Sequence, residues 1–304
     1  MKRRKFFKSV GALTAATYAF PNKVIDEASG LFYHGKLMEA PRIFFDQDKT
    51  NSMGPEDGPN QPMGQALGIN PGRVVWAWNP GATNADCKNV IENNDWYFNP
   101  VNFDQKIIDS MFSESIKELT GKRSLKKAWD LLFRYHNLKK RNKNIGYTPG
   151  EKIYIKINQG TSDWLLSRED KQNGYFVPNY PLKPGVRVRG YGAMETGPYI
   201  VLELLRELVN ECKINQSDIY IGDPHKHIFG HNYAYWHNEF PDVRYLDKAS
   251  EDFNRTVVNV TEKVLLFYSD KTIDDKLFDV IENADYMINL ANFKPHGSAG
   301  ITLT

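Results

Sequence analysis

The sequence predicts an α/β fold, a mainly parallel or mixed sheet flanked by helices with a long loop insertion. Two observations carry that prediction. Short β-branched and aromatic runs of two-residue period alternate with segments of helical period, at the spacing of strand–helix–strand units. Conspicuous polar residues fall repeatedly at the carboxyl ends of the predicted strands, where open α/β sheets bind ligands.

Residues 1–20 read as a signal peptide. Lys2, Arg3, Arg4, Lys5 and Lys8 precede an acid-free run, Ser9 to Phe20, that is too short and too rich in Ala, Gly and Thr to span a bilayer permanently. Arg3-Arg4, followed by Phe6 and Lys8, matches the twin-arginine pattern, with Lys2 where a serine or threonine is usual. The expected partner is therefore the twin-arginine translocase, and the expected location periplasmic or otherwise extracytoplasmic. The formal charge of +2 owes its sign to this segment. Without those five cations acid exceeds base, which removes the charge argument for nucleic acid. Lys139-Lys140-Arg141 and Lys143 read as a solvated cluster after a helix.

Residues 21–71 lack sustained periodicity and form an irregular leader; residues 72–304 form the α/β domain. The first predicted strand is Arg73 to Trp78, closed by Asn79-Pro80-Gly81. Ile107, Ile108, Met111, Phe112, Ser115 and Leu119 recur at helical spacing, as do Ala128, Leu131, Leu132 and Tyr135 after Gly121. Lys152 to Ile157 is a strand whose Ile153, Ile155 and Ile157 share one face, leaving Lys156 and Asn158 on the other. Residues 159–197 are an aromatic and Gly/Pro-rich excursion, read as a lid or insertion. Beyond it come a helix around Val201 to Leu208, a strand at Ile219 to Ile221, a short helix at Tyr233 to Phe240 and a strand at Val243 to Leu246. Strands at Val264 to Phe267 and Tyr286 to Leu290 are separated by a predicted helix, Ile273 to Glu282.

The strand ends deliver Asn79 and Thr83, then Lys156 and Asn158, then Asp223 with His225 and His227, then Asn289, Asn292, Lys294 and His296. A shared site follows as the economical expectation. Lys156 and Lys294 supply positive charge for a phosphate or carboxylate, and His296 exchanges a proton near neutral pH. The small residues from Gly297 to Thr302 offer backbone N–H groups to an anion. Asn158, Asp223 and Thr302 complete the ligand-binding set. Four of the seven histidines, His225, His227, His231 and His237, crowd one stretch. His225, His227 and His231 could hold a divalent metal, with Asp223 as oxygen ligand, but more readily suit packing and hydrogen bonding beside the aromatic residues that follow. Two cysteines, Cys87 and Cys212, are too few for an iron–sulfur cluster and leave a single disulfide open.

Gly72-Arg73-Val74-Val75-Trp76, Lys156-Ile157-Asn158, Ile221-Gly222-Asp223-Pro224 and the block from Asn289 to Thr302, with its Lys294-Pro295-His296 and Ala299-Gly300-Ile301-Thr302, occur here in a fixed order. They resemble a bacterial and archaeal family, number 362 among the domains of unknown function. The resemblance spans roughly residues 70–304. Its last block is the most specific, since lysine, histidine and Gly-Ile/Val-Thr elements recur together there in the family, and the resemblance implies no transferable activity. Some members of that family carry a ferredoxin-like module, for which this chain has no cysteine run. In the family the Ala-Gly-Ile-Thr block continues into further structure, so the resemblance implies a missing C-terminal part. Two classes of function fit: an enzyme acting on a small anionic ligand, or a non-catalytic ligand-, cofactor- or metal-binding accessory protein.

The signal is testable alone. Replacing Arg3 and Arg4 together by lysine is expected to leave the chain in the cytoplasmic fraction, and unchanged export on fractionation refutes a twin-arginine route.

Overall fold

The computed structural model describes residues 64–88, 95, 97–159, 195–223, 226, 228–247, 255–267, 274–296 and 300–302; within these, only the backbone is described for 265–267, 274, 295, 296 and 300–302. The signal, most of the leader and the greater part of the 159–197 excursion lie outside the described residues.

Helix α1 (Gln105–Thr120) starts where the Asp104 carboxylate accepts the Ile107 N–H at 3.1 Å and stops at Gly121, whose φ of 68° is left-handed. Helix α2 (Leu125–Arg141) is capped by Ser124 and ends on Asn142 in the same left-handed region. Lys139, Lys140 and Arg141 occupy its last turn, where cations complement the helix dipole. The basic cluster thus begins inside the helix rather than after it.

Strand β1 (Ile153–Ile157) follows, then α3 (Pro198–Arg206), which runs on into a π turn (Glu207–Glu211). Strand β2 (Ile219–Gly222), helix α4 (Gly230–His237), and strands β3 (Arg244–Asp247) and β4 (Thr256–Val257) come next. An antiparallel ribbon, β5 (Val260–Phe267) with β6 (Asp274–Phe278), leads into the single turn α5 (Asp279–Glu282) and strand β7 (Tyr286–Leu290). A hairpin, β8 (Lys294–His296) with β9 (Gly300–Thr302), ends the description.

The five-stranded sheet has the order β4-β3-β2-β1-β7, and its pairs are all parallel. This is the α/β class that the sequence predicts. β1 to β4 step outward in one direction; β7 then returns to the other side of β1. The reversal of strand order falls between β1 and β7.

One face of the sheet carries Ile153, Ile155 and Ile157, packed with Trp129 and Phe133 of α2, Val201, Leu204 and Leu205 of α3, Leu208 of the π turn and Trp236 of α4. Each fully buried isoleucine contributes about 1.5–3 kcal/mol through removal of apolar area from water. The other face is thinner: Tyr154, Leu246 and Val280 pack with Tyr220, Val258, Phe278 and Ile281.

Two sequence expectations fail. Arg73 to Trp78 forms no strand: Val74 and Trp76 are exposed, and the segment lies against the end of α1, with Arg73 donating to the Glu118 carbonyl at 2.9 Å. Alternation alone makes no strand where no ladder partner is supplied. The helix predicted at Ile273 to Glu282 is mostly β6, paired with β5, and only its last four residues coil as α5. The Val264–Phe267 strand accordingly belongs to the ribbon and not to the parallel sheet.

Gly222 closes β2 against β3. A Cβ there would lie 2.7 Å from both the Cβ and the carbonyl oxygen of Leu246. Gly222→Ala is expected to lower stability in urea by about 1–3 kcal/mol through overpacking, and an unchanged unfolding midpoint would contradict this β2–β3 approach.

Candidate functional site

At the carboxyl ends of β1 and β7, chain segments distant in sequence meet. β1 ends at Ile157, in register with Leu290 of β7, and both strands then diverge. Thr196 sits between them. Its hydroxyl accepts the Asn158 N–H at 2.9 Å and donates to the Leu290 carbonyl at 2.9 Å, while its own N–H donates to the Asn158 carbonyl at 2.9 Å. One buried threonine therefore closes the backbone groups that the diverging strands leave open.

Directly after Thr196 comes Gly197-Pro198, the start of α3. Gly197 caps the helix without a side-chain hydrogen bond, and Pro198 takes the first-turn position where its missing N–H costs nothing.

The hairpin β8–β9 brings Lys294 back over this crevice, where its Nζ donates to Asn158 Oδ1. Burial lowers the Lys294 pKa from its ordinary value, and nearby Lys156 lowers it further, while Glu195 and Asp223 oppose the shift. A half-buried ammonium in that setting responds to the charge of whatever lies next to it. Glu195 is buried, and its backbone carbonyl receives Asn292 Nδ2 at 3.4 Å. Asp223, buried at the end of β2, accepts the Gln159 N–H at 3.2 Å through Oδ2.

Lys156, Asn158, Asp223 and Lys294 thus lie together, as expected from the strand ends. Glu195, Thr196 and Gln159 belong to the same cluster and were not foreseen. Their only sequence signal is a polar pair preceding Gly197-Pro198, a breaker followed by a helix-starting proline. His296 pairs in backbone register with Gly300, and Thr302 with Lys294; the side chains of both lie outside the described residues.

The metal expectation finds a different setting at one of its residues. His231 stacks on Phe98 at 3.8 Å between ring centroids and on Phe229 at 5.5 Å. His225 and His227 lie outside the described residues. Among the described residues no group of three or more His, Cys, Asp or Glu side chains is arranged to hold a metal ion. Cys87 and Cys212 are not joined in a disulfide. Among the described residues, too, no helix is long and apolar enough to cross a membrane.

A cleft of about 660 Å³ opens at the opposite end of the sheet, lined by residues that include Gln216, Asp242 and Arg244. It precedes β2 and β3, at the amino ends of the strands, and holds none of the rim lysines.

Fold and rim together define an open parallel α/β protein with a lysine–amide–carboxylate cluster at its reversal point. Comparison of the chain with known protein families, with curated proteins and with solved structures finds no match in any of the three. The functional reading rests on the chain's own residues.

Thr196→Val removes the hydroxyl that joins Asn158 to Leu290 and is expected to cost about 1–3 kcal/mol by stranding buried backbone groups. Thr196→Ser is expected to retain most of that stability in the same urea titration. Equal losses in the two variants would assign the effect to packing instead.

Proposed function

We propose that the chain is an exported α/β protein that binds a small anionic ligand in the β1–β7 crevice and acts on it by acid/base chemistry. The observation that carries the proposal is the ammonium of Lys294 held on the Asn158 amide, desolvated and beside a second cation, Lys156. Two neighbouring lysines repel each other, and an anion bridging them converts that repulsion into attraction.

In this reading Lys156 and Lys294 anchor the anion. Asn158 and Asp223 orient it, and Thr302 lies opposite Lys294 in the hairpin. His296 exchanges the proton. The position supports the assignment, since a reversal of strand order is where open α/β sheets hold ligands. The motif resemblance supports placing function on the 289–302 block. The twin-arginine segment supports delivery of an already folded domain to the periplasm through the translocase.

Calorimetric titration of the purified full chain with inorganic phosphate, acetate and citrate tests the anchor. At least one is expected to bind, and Lys156→Ala or Lys294→Ala to weaken it about tenfold to a hundredfold, the worth of one charge-assisted hydrogen bond. If both variants keep the affinity and stability of the parent, the shared site is wrong. His296→Ala is expected to retain the anion and lose turnover in a screen of phosphorylated and carboxylated metabolites. Retention with no turnover by the parent would make the chain a binding protein.

A further inference from the structure

Away from the rim, the wall between α1 and α3 buries carboxyls that the proposed chemistry does not use. Glu203 of α3 is 7% exposed, and Glu207, at the head of the π turn, is 1% exposed. Between them stands Ser113 of α1, its Oγ 3.0 Å from Glu203 Oε1 and 2.8 Å from Glu207 Oε1.

A serine hydroxyl carries one proton and can donate it to only one of those oxygens. Were both carboxyls ionised, the remaining contact would set lone pair against lone pair, out of reach of water. One carboxyl must supply the second proton. Glu207 is marked as the acceptor, because Trp129 Nε1 donates to its Oε2 at 2.6 Å. Glu203 is left as the donor.

We propose that the α1–α3 interface stores one buried proton, carried by Glu203 and shared through Ser113 with Glu207, and that its loss in alkali unseats α3.

The surrounding charges favour retention of that proton. From α1 come Asp109, Glu114 and Lys117; from α2, Lys126 and Asp130; from α3 and its π turn, Arg206 and Glu211, with the Cys212 thiol beyond; from α4, the Tyr235 phenol, followed by Glu239. Arg206 is engaged by Glu239 at 2.7 Å and Asp109 at 3.1 Å, and Lys117 by Glu114 at 2.7 Å. Burial, with Asp109 next in effect, pushes the Glu203 carboxyl up to about 8, and burial also raises Glu207.

The sign of the pH dependence follows. A carboxyl whose folded value lies above its unfolded one gives its full stability below the unfolded value and loses it as pH rises through the folded value. α3 starts directly after Thr196 and Gly197, so the helix that loosens is the one bearing the rim clasp.

Thermal unfolding of the full chain and of Glu203→Gln between about pH 6 and about pH 9 tests the stored proton without any ligand, and so stands or falls apart from the rim proposal. The parent is expected to lose melting temperature up to about pH 8 and to level off above it, and Glu203→Gln to have a markedly shallower slope over the falling part. Identical slopes overturn the proposal. Infrared difference spectra of the unmodified protein stepped over the same range are expected to show a protonated-carboxyl carbonyl band that vanishes in alkali. Absence of that band overturns the proposal even if the variant fails to fold.

Discussion

The sheet depends on one strand bonded on both edges and buried on both faces. β1 pairs in parallel with β2 on one side and β7 on the other, and Ile153, Tyr154, Ile155 and Ile157 are wholly shielded from water. A strand so placed must be apolar along its length. Polarity returns toward the ladder's end, at Lys156, and just beyond it, at Asn158. Since both neighbours run parallel to it, their polar ends arrive at the same rim, and the clustering of Asp223, Lys294 and Asn158 is a consequence of strand direction.

The opposite end of the same strands shows what a closed electrostatic arrangement looks like. Arg141 bridges Glu151, at 2.5 Å, and Asp285; Asp285 accepts the Lys152 N–H at 2.7 Å; Tyr286 donates to Glu151 at 2.6 Å. Asn137, buried in α2, donates to the Tyr286 hydroxyl at 2.8 Å. Charges there satisfy one another and fix α2 against the starts of β1 and β7. At the carboxyl rim Lys294 has Lys156 beside it as well as Glu195 and Asp223, a mixed set of charges around one half-buried ammonium. The two ends of one sheet thus differ: paired ions at the amino end, a lysine–amide–carboxylate cluster at the carboxyl end.

Local physics made much of this legible. Helices α1 and α2 follow from apolar spacing and the caps Asp104, Gly121 and Ser124, and β1, β2 and β7 from short β-branched or aromatic runs. The misreadings share a cause: the deciding partner is remote. Val74 and Trp76 alternate as a strand should but meet no ladder, while Leu277, Val280 and Ile281 have helical spacing although β5 claims Leu277 for a ribbon. For His231 the sequence left metal binding and aromatic packing open, and its stacking partner Phe98 lies too far back in the chain to have been read locally. Lys156, Asn158 and Lys294 were readable because strand ends are locally marked. Glu195 and Thr196 were not, because no local signal says that the chain returns to the crevice after residues 160–194.

The pairing of β1 with β7 also sets an order of events in time. Lys152 and Asp285, which meet beside that pair, are 133 positions apart, so closing this contact carries a large loop-entropy cost and requires nearly all of the described chain to have been synthesised. Helices α1 and α2 and the β1–β2 pair can condense earlier from nearer neighbours. Until β7 docks, Thr196 has no Leu290 carbonyl to hold and Lys294 no route back to Asn158. The crevice is therefore incomplete until β7 docks, and a molecule that recognises it recognises chains in which β1 and β7 are already paired.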